Sequence, residues 1–232
     1  MRKLFFILLL LISTNGFAQQ NKMLNYQKID MKNFHFGYTL GFNTMDFDIY
    51  RTQKALVNDT FPEINRLSPG IDIGIVTNFK ITSYLDFRFL PGISLGQRNV
   101  LFYDKEDNAF SEMKIGSTFI NLPFILKFKS KRINNYRPYL VGGANIRYDM
   151  ARNKDFNASE EIYIKLMPFD FYYEAGFGID FYLPYFKFST EIKYSVGNLN
   201  VLSPDKHDSY PGYVNSLDKL KSRMVILSFH FE

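Results

Sequence analysis

Residues 170–198 read DFYYEAGFGIDFYLPYFKFSTEIKYSVGN. Phe171, Tyr173, Ala175, Phe177, Ile179 and Phe181 are apolar or aromatic, and Asp170, Glu174, Gly176, Gly178 and Asp180 between them are polar or small. After Leu183-Pro184 the alternation returns, with Phe186, Phe188, Thr190, Ile192, Tyr194 and Val196 on one face and Lys187, Ser189, Glu191, Lys193 and Ser195 on the other. A period of two predicts two strands. The turn between them is very short and falls at Pro184, which has no N–H to give to a ladder.

Strand length and face polarity set the environment. Strands of soluble sandwiches and barrels usually run to about 5 or 6 residues, whereas each of these runs to about 12. A strand crossing a bilayer at a tilt needs about 9 to 11, with apolar side chains toward lipid and polar ones toward the barrel interior. The charged face of the hairpin is therefore expected to line a lumen.

Working outward from the hairpin, the same pattern recurs. Phe34, Phe36, Tyr38, Leu40 and Phe42 alternate with His35, Gly37, Thr39, Gly41 and Asn43, and Ile71, Ile73, Ile75, Phe79 and Ile81 form a second apolar face. Leu85, Phe87, Phe89, Ile93 and Leu95 form a third, where Pro91-Gly92 predicts a bulge or kink. Further strands carry Ile120 to Phe128, Tyr139 to Tyr148, and finally Val225, Leu227, Phe229 and Phe231. Connections at about 47–68, 98–116, 150–168 and 199–221 are long, and those between them short. Bacterial outer-membrane barrels have this asymmetry, with short periplasmic turns and long loops outside. The expected fold is all-β, a transmembrane antiparallel up-and-down β-barrel of about eight strands with both termini periplasmic.

The start of the chain fits export. Met1-Arg2-Lys3 is basic, Leu4 to Ile12 is apolar, and Gly16-Phe17-Ala18 offers small residues for cleavage, so residues 1–18 are expected to be a signal peptide. Residues 19–32 then form a polar periplasmic lead, and residues 33–232 the barrel. Cys 0 leaves neither a disulfide nor, by expectation, a lipid-anchored precursor. Tyr 16 and Phe 25 with Trp 0 supply the aromatic girdles of such barrels. The net charge is +5, from 28 Lys and Arg against 23 Asp and Glu, and loss of Arg2 and Lys3 brings it to +3. No nucleic-acid partner is expected; outer-membrane lipid is.

An eight-stranded barrel has an interior just wide enough for side chains to fill. The candidate lumen network comprises Asp72, Arg88, Asn145, Arg147, Glu174, Asp180, Glu191, Lys193, His35 and His230, joined by Asp86 and Lys187. Both signs are present, so a paired structural network is expected, with an ion or proton path as the sharper alternative. His35 and His230 are expected near one another, and a lipid-modifying barrel enzyme would need one of them. No ordered Ser, His and acid set accompanies them, so no catalytic residue, cofactor or metal is assigned. His207 with Asp205 and Asp208 reads as a solvated loop before it reads as a divalent-ion site. Lys127, Lys129, Lys131 and Arg132 form a basic turn, either solvated or set to meet anionic headgroups or an acidic partner.

Three blocks carry a family resemblance: LPFILKFKS at 122–130, NYRPYLVGG at 135–143 with Asp149 after it, and Tyr172-Tyr173-Glu174 through Phe181-Tyr182 to Phe186-Lys187-Phe188-Ser189 and Glu191. Together they resemble the PorT (also called SprT) outer-membrane proteins of Bacteroidetes, across nearly the whole mature chain. The resemblance implies a non-enzymatic part in the type IX secretion system, which carries proteins with a C-terminal sorting domain across the outer membrane, and in gliding species supports motility. It implies other components of that machinery as partners. A general small barrel of adhesin or envelope-stability type, acting through its long loops, is the alternative.

Overall fold

The computed structural model describes residues 23–51, 61–63, 68–103, 109–153, 164–205 and 217–232. A short helix α1 (Gln27–Met31) leads into β1 (Phe34–Arg51), β2 (Phe61–Glu63), β3 (Ser68–Lys80), β4 (Leu85–Phe89) and β5 (Gly92–Tyr103). There follow β6 (Ala109–Lys129), β7 (Tyr136–Asp149), a 3-10 turn (Met150–Asn153), β8 (Phe169–Tyr182), β9 (Lys187–Gly197) and β10 (Leu217–Phe231). Each strand pairs antiparallel with its neighbours, in the order β1, β10, β9, β8, β7, β6, β4, β3, and β3 returns to β1. The sheet thus closes on itself. β4 and β5 lie end to end between β3 and β6, so the ring has eight staves among the described residues, while β2 pairs only with the outer part of β5.

The hairpin at 170–198 takes its expected form. Tyr182 stands opposite Lys187 and Tyr172 opposite Gly197, and the turn closes with the Leu183 N–H donating to the Phe186 carbonyl at 3.0 Å. Along β8, Asp170, Tyr172, Glu174, Gly178, Asp180 and Tyr182 are buried, while Tyr173, Ala175, Phe177, Ile179 and Phe181 are exposed on the outer wall. Gly178 faces Tyr139 across the β7–β8 ladder, where any Cβ would collide with the phenol. Its lack of a side chain leaves room for the Tyr139 ring to lie inside.

At Pro91 the expected bulge is absent. Phe89 and Gly92 are three apart on the stave, and their partners Phe124 and Asn121 on β6, and Thr77 and Gly74 on β3, are three apart as well. The register runs through unbroken. What interrupts the strand is the missing N–H of proline; the Ile75 N–H still donates to the Pro91 carbonyl at 2.9 Å, and the Leu90 N–H to that of Pro123 at 3.3 Å.

Several strands extend into segments expected to be connections. β1 continues to Arg51, β5 to Tyr103, β6 begins at Ala109 and β10 at Leu217. The period of two persists there, but its polarity reverses. On β1 the outer face changes from Phe34, Phe36, Tyr38, Leu40 and Phe42 to Thr44, Asp46 and Asp48, and the inner face from Gly41 and Asn43 to Met45, Phe47 and Ile49. The same reversal occurs at the same height on β10, where Thr44 pairs with Val225 and Asp46 with Arg223. Inside this half a dry apolar core forms from Phe47, Val100, Phe102, Met113, Leu217 and Leu220 of the strands. Ile164, Leu166, Val201 and Leu202 of the connections complete it, with Leu166 bridged to Leu202. Each fully buried side chain of this kind contributes about 1.5–3 kcal/mol, so this end is closed as a soluble domain closes.

Candidate functional site

Below that apolar core the lumen is filled with charge. Register places Gly143, Glu174 and Ser195 side by side on β7, β8 and β9, and the inward positions around them supply the middle cluster. The Glu174 carboxylate accepts Arg147 Nη2 at 2.8 Å and Asn145 Nδ2 at 2.7 Å, with Lys193 Nζ at 3.3 Å. Arg147 also lies over the Tyr172 ring, 4.3 Å from its centre. Alternation alone brings these groups together: they share one face of three adjacent strands.

Nearer the short turns a second cluster spans the lumen. Arg88 of β4 donates to Glu232 at 2.6 Å, to Glu191 at 3.3 Å and, through Nε, to Asn78 Oδ1 at 3.0 Å. Glu232 is also bound by Lys187 at 2.9 Å and lies 2.5 Å from His35 Nε2. Lys127 Nζ sits 2.7 Å from both Asp180 oxygens and 3.7 Å from the centre of the Tyr139 ring, and Lys129 Nζ is 2.5 Å from Asp86. A third cluster, above the middle one, joins Arg98 to Asp149 at 2.9 Å, Ser117 at 2.5 Å and Ser222 at 3.1 Å. Arg88, Arg147 and Lys127 are among the largest fully buried side chains. Charges so deeply placed persist only when paired, since an uncompensated one costs about 3–5 kcal/mol.

The structure places each residue of the expected network inward. Arg147, Asn145, Glu174 and Lys193 meet in the middle cluster; Arg88, Glu191, Asp180 and His35 meet in the lower one. Asp72 lies apart, accepting from Asn43 at 2.6 Å and from Ser94. The two histidines are not partners of each other. His230 stands opposite Thr39 and 3.5 Å from Glu191, while His35 is four positions further along β1 on Glu232, and Arg88 links the two carboxylates. A cavity of about 40 Å³ remains among Asp72, Asn121, Arg147, Glu174, Lys193 and His230, room for a water or two.

The basic turn differs from its sequence reading. Lys127 and Lys129 belong to β6 and point into the lumen, because they continue its inward parity after Asn121 and Ile125. Arg132 is engaged by Asp30, the Asn25 and Asn134 carbonyls and Asn135. Of the four, Lys131 is the one exposed to solvent. His207 and Asp208 lie outside the described residues, and Asp205 is 3.2 Å from Lys165. Among the described residues no group of three or more His, Cys, Asp or Glu is placed to hold a metal.

Sequence reasoning missed Arg98, Asp149 and Glu232. Arg98 falls where the outer face has already lost its apolar character, and Asp149 at a strand end. The signal available was parity, carried past the apolar belt.

At the short-turn end the lead crosses the mouth. Asp30 of α1 meets Arg132 at 2.9 Å, Arg137 at 3.2 Å and Tyr182 Oη at 3.0 Å, and Lys80 Nζ donates to the Asp30 carbonyl at 2.6 Å. The apolar wall, by contrast, faces outward along all eight staves. Phe36, Phe42, Ile75, Phe128, Leu140, Phe177 and Tyr194 are among its exposed residues, a surface suited to lipid rather than water. No helix among the described residues is long and apolar enough to cross a membrane.

The family model described as outer membrane protein beta-barrel domain matches residues 17–202. No protein of curated function matches. Among solved structures, the Neisserial surface protein A (NspA) is 9% identical, with 86% of this chain and 98% of that one covered, at a TM-score of 0.44. OprG, an outer membrane protein from Pseudomonas aeruginosa, is 12% identical over 84% and 92%, also at 0.44. With four-fifths of its length matched by the family model, an inside-out closed ring and a lipid-facing belt, this chain is a small outer-membrane protein belonging to the outer membrane β-barrel domain family.

Proposed function

We propose that the chain is a non-enzymatic component of the type IX secretion machinery, acting as a filled scaffold that docks other components rather than as a conduit. The observation that carries the scaffold reading is the occupied lumen: salt-bridged clusters in the membrane-level half, an apolar core above them and α1 across the mouth below. A lumen so filled offers a protein substrate no path. The link to type IX secretion rests on the resemblance of residues 122–130, 135–143 and 172–191 to PorT proteins. Those blocks fall on β6 to β9, which are contiguous in the ring and end together at the short turns. In this reading the short turns and both ends of the barrel domain face the periplasm, residues 1–18 are removed on export, and docking partners approach from that side.

The test is a deletion strain fractionated for proteins bearing the C-terminal sorting domain. They should accumulate in the periplasm and return to the medium on complementation. Normal surface delivery in the deletion would remove the secretion role.

A further inference from the structure

A polar clamp, with little packing behind it, holds α1 at the mouth. Both carboxylate oxygens of Asp30 are engaged, one by Arg132 and the other by Arg137 and Tyr182. Of the helix itself only Ile29 is buried, while Met31 is 79% exposed. A helix of 5 residues has no stability of its own, and Tyr26 before it sits at φ 45°, in the left-handed region that a bulky residue rarely adopts.

The seat, by contrast, is built without the segment. Arg132 Nε donates to the Asn134 carbonyl at 2.8 Å, Nη2 donates to Asn135 Oδ1 at 2.9 Å, and the guanidinium lies 3.7 Å from the centre of the Tyr182 ring. Tyr182 is fixed by β8, and its N–H donates to the Asn135 carbonyl at 2.8 Å. One guanidinium and a phenol O–H are therefore held in place by groups outside the segment, and Arg137 of β7, 5.8 Å from the centre of the Tyr182 ring, completes the site. Planar, charge-assisted donors in this arrangement match a carboxylate.

We infer that this seat is a binding site for an acidic peptide segment of a partner protein, and that α1 occupies it in cis until the partner displaces it. The ligand's chemistry is that of the occupant: an Asp or Glu next to an apolar residue, as in Ile29-Asp30. Displacement costs the chain one buried apolar side chain and the hydrogen bonds that Met23, Asn25 and the Asp30 carbonyl make to Asn135, Tyr182, Arg132 and Lys80, while the carboxylate clamp is remade by the incoming group. The inference deepens the docking reading above by naming its surface, and it rests on that reading for the partner's place in secretion.

The test uses the full-length protein in detergent micelles and a fluorescein-labelled peptide of residues 23–33, MLNYQKIDMKN. In anisotropy titrations the Asp30→Asn protein should bind this peptide at least tenfold more tightly than the wild-type protein, whose seat is filled. Adding Arg137→Gln, or placing Asp30→Asn in the peptide, should abolish the gain. Trypsin should cut after Lys28 and Lys32 faster in the Asp30→Asn protein, and heat-modifiable migration on gels should confirm that its barrel is intact. Equal binding by wild-type and Asp30→Asn proteins, indifference to Arg137→Gln, unchanged trypsin cleavage, or competition by inorganic phosphate as strong as by unlabelled peptide would each overturn the proposal. A deletion strain that secretes normally would leave the peptide result standing; a failed titration would leave the secretion reading standing without this seat.

Discussion

Phe42 and Phe47 stand five positions apart on β1, one 59% exposed on the outer wall and the other wholly buried inside. Between them the strand keeps its register with β10, while its pairing with β3 ends at Met45 and Ser68. What changes is the surrounding medium. Below the level of Thr44 and Val225 most apolar side chains face lipid and the charged ones pair in the lumen around a small cluster of Val76, Leu90, Ile125 and Val141; above it the apolar ones fill a core and the outer face carries Asp46 and Asp48 paired with Arg223. One β-ladder therefore serves two opposite solvents, and the lesson is that polarity, not the ladder, reports where the bilayer ends.

The largest effect expected from breaking this division is in the lumen. Glu174→Leu strips Arg147 and Lys193 of their shared carboxylate, and should cost about 3–5 kcal/mol, read as a lower urea midpoint for protein refolded in lipid vesicles. A loss below about 1 kcal/mol would mean that the middle cluster repairs itself through Glu191.

In the upper half Phe47→Ala should cost about 3 kcal/mol, because it opens a cavity in a dry core. The matching Phe42→Ala removes only lipid contact on the wall and should lose about half as much or less. Equal losses from the two would erase the distinction between the halves. The smallest effect is reserved for the boundary: Arg223→Ala breaks partly exposed pairs with Asp46 and Asp48 and should cost less than about 1 kcal/mol, shrinking further as salt is raised. A larger, salt-insensitive loss would place that level inside the membrane.

The lipid-facing half was legible from single residues because its pattern has one phase: Phe171 to Phe181 out, Asp170 to Asp180 in. The upper half was not, because a search for outward apolar side chains stops at Phe42 and at Leu95, and Phe47, Val100 and Leu220 then read as loop. Lys127 and Lys129 illustrate a related failure. Read with Lys131 and Arg132 they make a charged turn; read with Asn121 and Ile125 by parity they belong inside. Nothing local could have announced the Asp30 clamp, since Arg132 lies 102 positions away and only closure of the ring brings them together.

Pro91 has a mechanical consequence. A closed ring commits its backbone donors to its neighbours, and Pro91 and Pro123 sit on adjacent staves at the same height, midway through the belt. Ile75 and Leu90 each reach their proline partner through one hydrogen bond where two would otherwise form. The hoop is thus thinnest in the middle of the bilayer, between β3 and β6, where the membrane itself is the only outer support. If the wall ever yields sideways, amide exchange should reveal it there first, at Ile75 and Leu90, while the rims stay shut.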